Sequence, residues 1–180
     1  MAQKTVLDYC RVKAGRSEAK IFADPDFQVA LSHCRWQVYL STLSDVVALA
    51  EAWLRPVLPP RSEATLVEAL LRLHLAALAA APAPPGEAAA AAAMASALPG
   101  HLAALQLAPP RPANLLPLLA EAPLFATLPI HAEQRKGEAP SIRGALRFHI
   151  VWTQQEMERR FDRAGLATRL CAAVDAAAPL

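Results

Sequence analysis

The sequence has little glycine, few aromatic residues and almost no net charge, and these shortages exclude several classes of function. Only 6 of its 180 residues are glycine, and neither a P-loop nor the glycine fingerprint of dinucleotide-binding folds occurs. The formal net charge of +2 comes from acidic and basic residues that interleave along the chain. A concentrated basic face, typical of nucleic-acid-binding proteins, is therefore not predicted. The sequence also lacks the G-x-S-x-G and H-E-x-x-H motifs of hydrolases and metalloproteases.

Cysteine is scarce as well, and its pattern indicates a reducing compartment. The three cysteines, Cys10, Cys34 and Cys171, are widely spaced and form no C-x-x-C pair. The first 20 residues contain no apolar run of the length that a signal peptide requires. The longest apolar run, residues 88–95, is too short to span a bilayer. We therefore expect a cytoplasmic protein that does not contact a membrane.

Alanine, leucine and proline are abundant instead, and together they predict short helices. Hydrophobic residues make up 54% of the chain, and much of that share is alanine. The 16 prolines cluster between apolar segments, where they end helices rather than interrupt them. The length fits one domain, residues 1–180, that is predominantly helical. Residues 81–100 are predicted to be a Pro/Ala-rich linker followed by a peripheral insert.

The clearest helix signals lie between residues 24 and 78. Asp24 followed by Pro25 is typical of an N-cap and first helical position. An apolar stripe then continues, as one bent helix or two, until Pro56. Ser62 is predicted to begin a second amphipathic helix, which with the first forms the core. Its apolar residues are Leu66, Val67, Leu70, Leu71, Leu73, Leu75 and Leu78.

The pattern changes in the C-terminal third, where two segments predict β-strands. Apolar residues alternate within 124–131, and residues 145–152 are rich in β-branched and aromatic side chains. With 132–144 as a loop, these strands would form a hairpin. The predicted fold class is therefore α+β, with a small antiparallel β-sheet. The alternative is one continuous helix, because Ile142, Leu146 and Ile150 lie four residues apart.

A capping box favours the strand interpretation over the helix. Thr153 and Glu156 have the spacing at which each side chain binds a free backbone N–H of a first helical turn. A helix that begins there implies that the preceding residues are not helical. Gly165 is predicted to end this helix, and residues 168–178 are predicted to form a last short helix.

The sequence offers no convincing set of metal ligands or catalytic residues. His33 and Cys34 are adjacent and would point about 100° apart on a helix. His131 and His149 could face one another across the hairpin, but two ligands do not complete a metal site. We therefore assign no catalytic residue, no metal ligand and no cofactor to this chain.

A basic surface with nearby aromatic residues is the remaining candidate site. One interpretation is an ordinary solvated loop; the other is a strand edge that binds an extended, acidic peptide. The basic residues are Arg135, Lys136, Arg143 and Arg147, near Phe148 and Trp152. The predicted peptide-binding residues are Arg143, Arg147, His149 and Val151.

One short segment resembles a known family. Val151-Trp152-Thr153-Gln154-Gln155, followed by Glu158, Arg159 and Arg160, is similar to part of the MbnC family, the small partner subunits of methanobactin biosynthesis. Arg35-Trp36 together with residues 40–43 is loosely similar to an aromatic helical segment of that family.

The resemblance implies a partner and a role. Members of that family pair with a larger iron-containing barrel enzyme and help this enzyme bind a short precursor peptide. The enzyme then converts cysteines of the peptide to an oxazolone with a neighbouring thioamide. The small subunit supplies no metal ligand, so the iron is expected in the partner. For the partner interface we select Trp36, Tyr39 and Trp152; plain core packing is the alternative for these aromatic residues.

The sequence therefore predicts a non-catalytic subunit that binds a leader peptide and presents it to an iron-dependent, peptide-modifying enzyme. Two other classes remain open. One is a generic helical adaptor or chaperone-like module that has no role in peptide modification. The other is a small enzyme whose site has no recognisable motif.

Overall fold

The computed structural model describes residues 2–176, and within that range the chain forms helices and no β-strand. The α-helices are α1 (Ala2–Ala14), α2 (Glu18–Phe22), α3 (Pro25–Leu54), α4 (Glu63–Ala80), α5 (Ala88–Gln106), α6 (Glu121–Thr127), α7 (Ala139–Arg160) and α8 (Arg163–Ala176). Short 3₁₀ turns occupy Gly15–Ser17, Arg55–Val57, Ala113–Leu115 and Ala132–Arg135.

The long helix α3 is the centre of this bundle. Its start follows the predicted cap, because the Asp24 side chain accepts hydrogen bonds from the backbone N–H groups of Asp26 (2.8 Å) and Phe27 (3.1 Å). The helix continues without a break for 30 residues and gives way to a 3₁₀ turn that contains Pro56. It packs against every other α-helix of the described range. The sequence had left open whether this segment is one helix or two, and it is one.

Two apolar clusters form along α3. The first joins its C-terminal half, from Val47 to Leu54, to leucines of α4 and α5 and to Ile150 and Cys171. The second joins its N-terminal half to α1, α6 and the start of α7. Because both clusters share α3, burial along this one helix connects the two halves of the core.

Helix α4 faces the core with a narrower stripe than the sequence predicted. It begins after Ser62, as expected, although the serine side chain makes no capping hydrogen bond. Positions 66, 70 and 74 lie four residues apart and point inward, so Leu66, Leu70 and His74 are buried. Leu73 and Leu75 were predicted to lie in the core, but they are 53% and 55% exposed.

The predicted antiparallel β-sheet is wrong. The second predicted strand lies inside α7, and most of the first lies in α6 and the turn after it. A strand would place residues 146, 148 and 150 on one face, whereas Leu146 and Ile150 are buried and Phe148 is 66% exposed. The four-residue spacing of Ile142, Leu146 and Ile150 is the pattern that packs against α3.

The capping box at Thr153 is also wrong, because this residue lies in the middle of α7. Its hydroxyl donates to the carbonyl of His149 one turn earlier, at 2.8 Å. The helix ends at Arg160, and Gly165 lies in the first turn of α8, where its N–H donates to the Asp162 carboxylate at 3.0 Å. The predicted loop 132–144 contains a 3₁₀ turn and the beginning of α7. Residues 177 and 178 of the predicted last helix lie outside the described residues.

The segment predicted as a linker and peripheral insert contributes to the core. Residues 81–87 connect α4 to α5, and α5 continues through Pro99 as far as Gln106. Its Leu98 and Leu102 are buried in the first cluster, while most of its alanines face outward. In the described range α5 is the one helix long and apolar enough, by length and composition, to cross a membrane. The cytoplasmic location stays a prediction.

A buried carboxylate on α3 holds the segment that leads into α6. Asp45 accepts hydrogen bonds from the backbone N–H groups of Leu119 (2.6 Å) and Ala120 (3.1 Å). Burial raises the pKa of Asp45 to about 6, although these two bonds and the charge of Arg147 act in the opposite direction. The ionised carboxylate is therefore costly in the folded protein and is stabilised by its two amide donors.

This burial predicts a pH-dependent stability that Asp45→Asn should remove. The pKa of Asp45 rises from 3.8 to about 6 on folding. The contribution of Asp45 to the stability of the folded protein is therefore most favourable below pH 4 and is lost as the pH rises through 6. At 1.36 kcal/mol per pKa unit, the loss is about 3 kcal/mol. We expect the free energy of unfolding in urea, measured for wild type relative to Asp45→Asn, to fall by about this amount between roughly pH 4 and 7. A pH-independent difference would contradict the assignment.

Candidate functional site

A surface groove runs along the middle of α3, between the start of α1 and the segment that follows α4. We call it the α3 groove. Its first part has a volume of about 340 Å³, and a second part of about 260 Å³ continues from it. The two parts share Gln3 and Tyr39. The other lining residues are Ser32, Arg35, Trp36, Ala81, Pro82 and Pro84 in the first part, and Ala2, Thr42, Leu43 and Val46 in the second.

The dimensions of the groove fit a short stretch of extended chain. It follows α3 from position 32 to position 46, a path of about 20 Å at the helical rise of 1.5 Å per residue. An extended chain advances about 3.3 Å per residue, so roughly six residues would cover this path.

A stacked aromatic pair lies where the two parts of the groove meet. The Trp36 and Tyr39 rings lie 5.3 Å apart between centroids, with an interplanar angle of 27°. Trp36 is buried and Tyr39 is half-buried. Residues three apart on a helix share a face, which is how α3 brings the two rings together. The pair gives the groove a rigid apolar floor.

Three hydrogen-bond donors among the lining residues have no partner within the described chain. They are Arg35 Nε, Trp36 Nε1 and Thr42 Oγ1, and each is buried. A buried donor without an acceptor costs about 1–3 kcal/mol, so such groups are uncommon in folded proteins. All three lie within eight residues of α3, and because each atom is closed off from solvent, an acceptor would reach it only when neighbouring side chains move. Buried side-chain atoms without a partner also occur elsewhere in the described chain, on Glu51, Arg55, His101, Arg135 and His149.

Contacts beside the groove fix its proline-containing wall. The Glu87 carboxylate pairs with His33 Nδ1 and accepts a hydrogen bond from Gln37 Nε2 at 3.0 Å. Both partners lie on α3, so the residue before α5 is held against that helix. This contact positions Pro82 and Pro84, a few residues earlier, opposite Trp36. Arg35, by contrast, forms no ion pair within residues 2–176.

The structure places the three predicted interface aromatics in two locations. Trp36 and Tyr39 line the α3 groove, as described above. Trp152 is half-buried on α7, one turn beyond His149, and is not among the residues that line the groove. The three residues therefore do not line one groove, and their role at a partner interface stays a prediction.

The two predicted peptide-binding arginines are occupied by contacts within the chain. Arg143 pairs with Glu121, and its guanidinium carbon lies 5.7 Å from the centre of the Phe125 ring. Arg147 Nη1 donates to the backbone carbonyls of Ala113 (2.8 Å) and Leu116 (2.6 Å). Arg147 therefore holds the 3₁₀ turn before α6 and is directed inward.

His149 and Val151 likewise serve the packing of α7. His149 Nε2 lies 2.6 Å from Thr5 Oγ1, which ties α7 to α1, and burial lowers the pKa of this imidazole. Val151 is half-buried against the first apolar cluster. Because 145–152 is helical, its backbone groups are used within α7, and an open strand edge does not exist there.

Sequence analysis missed Arg35, Thr42 and the two prolines of the groove. A signal was present, because Arg35, Tyr39 and Thr42 follow one another at spacings of four and three, which places them on one helical face. The contribution of the prolines depends on how residues 81–87 fold back, and no local pattern encodes that.

Neither metal ligation nor thiol chemistry is indicated in the described residues. No group of three or more histidine, cysteine or carboxylate side chains that could hold a metal ion occurs between residues 2 and 176. The three thiols are buried, and burial raises the pKa of Cys10 to about 12 and also raises the pKa of Cys34 and of Cys171. A protonated, buried thiol is a poor nucleophile.

Comparisons of this chain with protein-family models, with curated proteins and with solved structures gave no match. The similarity of residues 151–160 to the MbnC family therefore stays a prediction.

The unpartnered hydroxyl of Thr42 predicts an unusual response to substitution. Thr42→Val keeps the shape of the side chain and removes the buried hydroxyl, so the free energy of unfolding should rise by about 1 kcal/mol. Thr153→Val is the matched control on α7, because its hydroxyl is bonded to a carbonyl, and it should give no such gain. Urea unfolding of both variants checks this. Destabilisation by Thr42→Val would mean that the hydroxyl is engaged.

Proposed function

We propose that this chain is a non-catalytic subunit that binds a short precursor peptide in the α3 groove and presents it to an iron-dependent, peptide-modifying enzyme. The observation that carries the proposal is the set of three unpartnered donors, on Arg35, Trp36 and Thr42, beside a stacked aromatic pair. Peptide carbonyl oxygens are the acceptors that such donors would bind, and aromatic floors are typical of peptide-binding grooves.

The proposed mode of binding is an extended peptide lying along α3. Its apolar side chains would pack on Trp36 and Tyr39. Its carbonyl groups would accept hydrogen bonds from the buried donors of α3 once the side chains that cover these donors move aside. This mode replaces strand addition at residues 145–152, which the helical conformation of α7 rules out. It uses the same class of ligand that the sequence predicted, at a different surface.

Charge favours a peptide that carries an acidic residue. Arg35 is half-buried in the first part of the groove and forms no ion pair within the described range. A carboxylate placed against its guanidinium would gain charge-assisted hydrogen bonds, which are stronger than neutral ones. Acidic residues opposite Arg35 would also fix the register of the peptide.

The enzyme itself is proposed to contact α7. Phe148 is 66% exposed there, and Trp152 is half-buried one turn further along. Exposed aromatic residues are common anchors of protein interfaces. The iron would then belong to the partner, and this chain would contribute positioning, which raises the rate of a reaction by fixing the distance between reacting groups.

The alternative of a generic adaptor has an observation of its own. Leu73 and Leu75 of α4 are exposed, and Leu107 after α5 is 90% exposed. Exposed leucines are suited to contact another protein, and nothing about them requires a peptide or a metal enzyme. The two experiments below separate this function from the first.

Peptide binding should depend on Arg35 and on Tyr39. We expect a fluorescein-labelled, 12-residue peptide containing Asp and Glu to bind with a salt-sensitive affinity, and an Asn/Gln version of the same peptide to bind more weakly. Arg35→Ala or Tyr39→Ala should weaken binding of the acidic peptide at least about tenfold, which corresponds to 1.4 kcal/mol. The measurement is fluorescence anisotropy.

Arg143→Ala provides the matched control for that experiment. It removes an exposed guanidinium that is paired with Glu121 outside the groove, so the affinity for the acidic peptide should not change. If Arg35→Ala and Arg143→Ala weakened peptide binding equally, the affinity would depend only on net charge, and a specific site at Arg35 would be refuted.

The enzyme partner is tested by co-expression with the product of the adjacent gene. Size-exclusion chromatography should give a heterodimer that contains iron, and Phe148→Asp should dissociate it while leaving the circular dichroism of this chain unchanged. A complex without iron would favour the adaptor function. A monomer with no bound partner would contradict the proposed function.

A further inference from the structure

We propose that residues 81–87 form a strap over the α3 groove, and that the Glu87 carboxylate is the latch that holds this strap closed when no peptide is bound. The strap is the segment between α4 and α5, and its residues Ala81, Pro82 and Pro84 line the first part of the groove together with Trp36. The inference rests on the proposed function of the groove, and it describes how that site is regulated.

A single side chain fastens the strap to α3. One oxygen of the Glu87 carboxylate pairs with His33 Nδ1, and the other accepts a hydrogen bond from Gln37 Nε2 at 3.0 Å. His33 and Gln37 lie four residues apart, so they share one face of the helix. No other hydrogen bond joins residues 81–87 to α3 within residues 2–176. Loss of this one contact therefore frees the strap.

The composition of the strap lets it move as one piece. Three of its seven residues are proline, which makes the segment stiff and leaves it fewer backbone N–H groups that could bind α3. Gly86 has a φ of +83°, a left-handed conformation that costs glycine little, and it is the hinge between the strap and α5. A stiff segment with a hinge and one attachment swings as a unit when the attachment opens.

The strap lies beside a donor that a bound peptide would use. Positions 33, 36 and 37 are neighbours on the surface of a helix, so the latch places the strap next to Trp36. The Nε1 group of Trp36 is closed off from solvent and has no hydrogen-bond partner within the described chain. A peptide carbonyl would reach this nitrogen only when the strap moves aside. The latch therefore opposes peptide binding.

Exchange of the Trp36 indole proton with water tests the latch without any peptide. Glu87→Ala should release the strap and raise the exchange rate of the Trp36 Nε1 proton at least about twofold, because an exposed ion pair adds only modest stability. The measurement is nuclear magnetic resonance of the isotope-labelled full chain, in which the indole protons of Trp53 and Trp152 should exchange as in wild type.

Two further variants keep this test specific. His33→Ala removes the other half of the ion pair and should accelerate exchange at Trp36 in the same direction. Glu68→Ala is the matched control, because it removes an exposed glutamate that pairs with Arg72 on α4, and it should leave the exchange unchanged. Unchanged exchange at Trp36 in both Glu87→Ala and His33→Ala would overturn the proposal.

The acidic peptide of the binding experiment separates this inference from the proposed function. Its affinity for Glu87→Ala should rise about threefold over that of Glu68→Ala, which carries the same net charge, because the strap no longer has to be displaced. Faster exchange at Trp36 without peptide binding to any variant would refute the proposed function and would still support the strap. Faster exchange with weaker binding would mean that the strap holds the peptide, and would overturn the inference.

Discussion

The burial of α3 is the constraint on which the rest of the structure depends. A helix that packs against all its neighbours must satisfy every polar group on its buried faces from within the protein. The two buried serines, Ser41 and Ser44, donate to carbonyls of their own helix. Asp45 is stabilised by two amides of the segment before α6, and Glu51 by Arg55 and Gln106. These contacts determine where the chain after α5 must lie.

The α3 groove is one of the places where this requirement is not met; Glu51 Oε2, in the C-terminal half of the same helix, is another. Between positions 32 and 46, α3 is approached by the start of α1 and by residues 81–87, which supply no acceptors to Arg35 Nε, Trp36 Nε1 or Thr42 Oγ1. A polar group is expensive when it is buried and unpaired, and the cost falls when a ligand provides the partner. The same helix thus carries buried polar groups that the core satisfies, such as Asp45, and others along the groove that it does not.

Local signals predicted three helix boundaries between residues 24 and 62, because caps and prolines act within a few residues, but they failed at Thr153 and Gly165. The start at Asp24, the end before Pro56 and the start after Ser62 are all confirmed. Residues 145–152 were assigned wrongly for a tertiary reason. Their β-branched and aromatic side chains favour strands only when a neighbouring strand is available, and here the available neighbour is α3. The four-residue spacing of Ile142, Leu146 and Ile150, which packs against α3, was therefore a better predictor of structure here than β propensity.

Two residues of the candidate site were singled out from the sequence, although for the partner interface and not for peptide binding. Trp36 and Tyr39 stand out in a chain with few aromatic residues, and a helical α3 places them together in any arrangement of its neighbours. Arg147 and His149 were assigned to a solvated strand edge, whereas α7 turns them towards the 3₁₀ turn before α6 and towards α1. Whether Arg35 is paired depends on which distant segment meets it. Helical geometry predicts which face of α3 carries Arg35. Whether a carboxylate lies close enough to pair with Arg35 depends on how the whole chain packs.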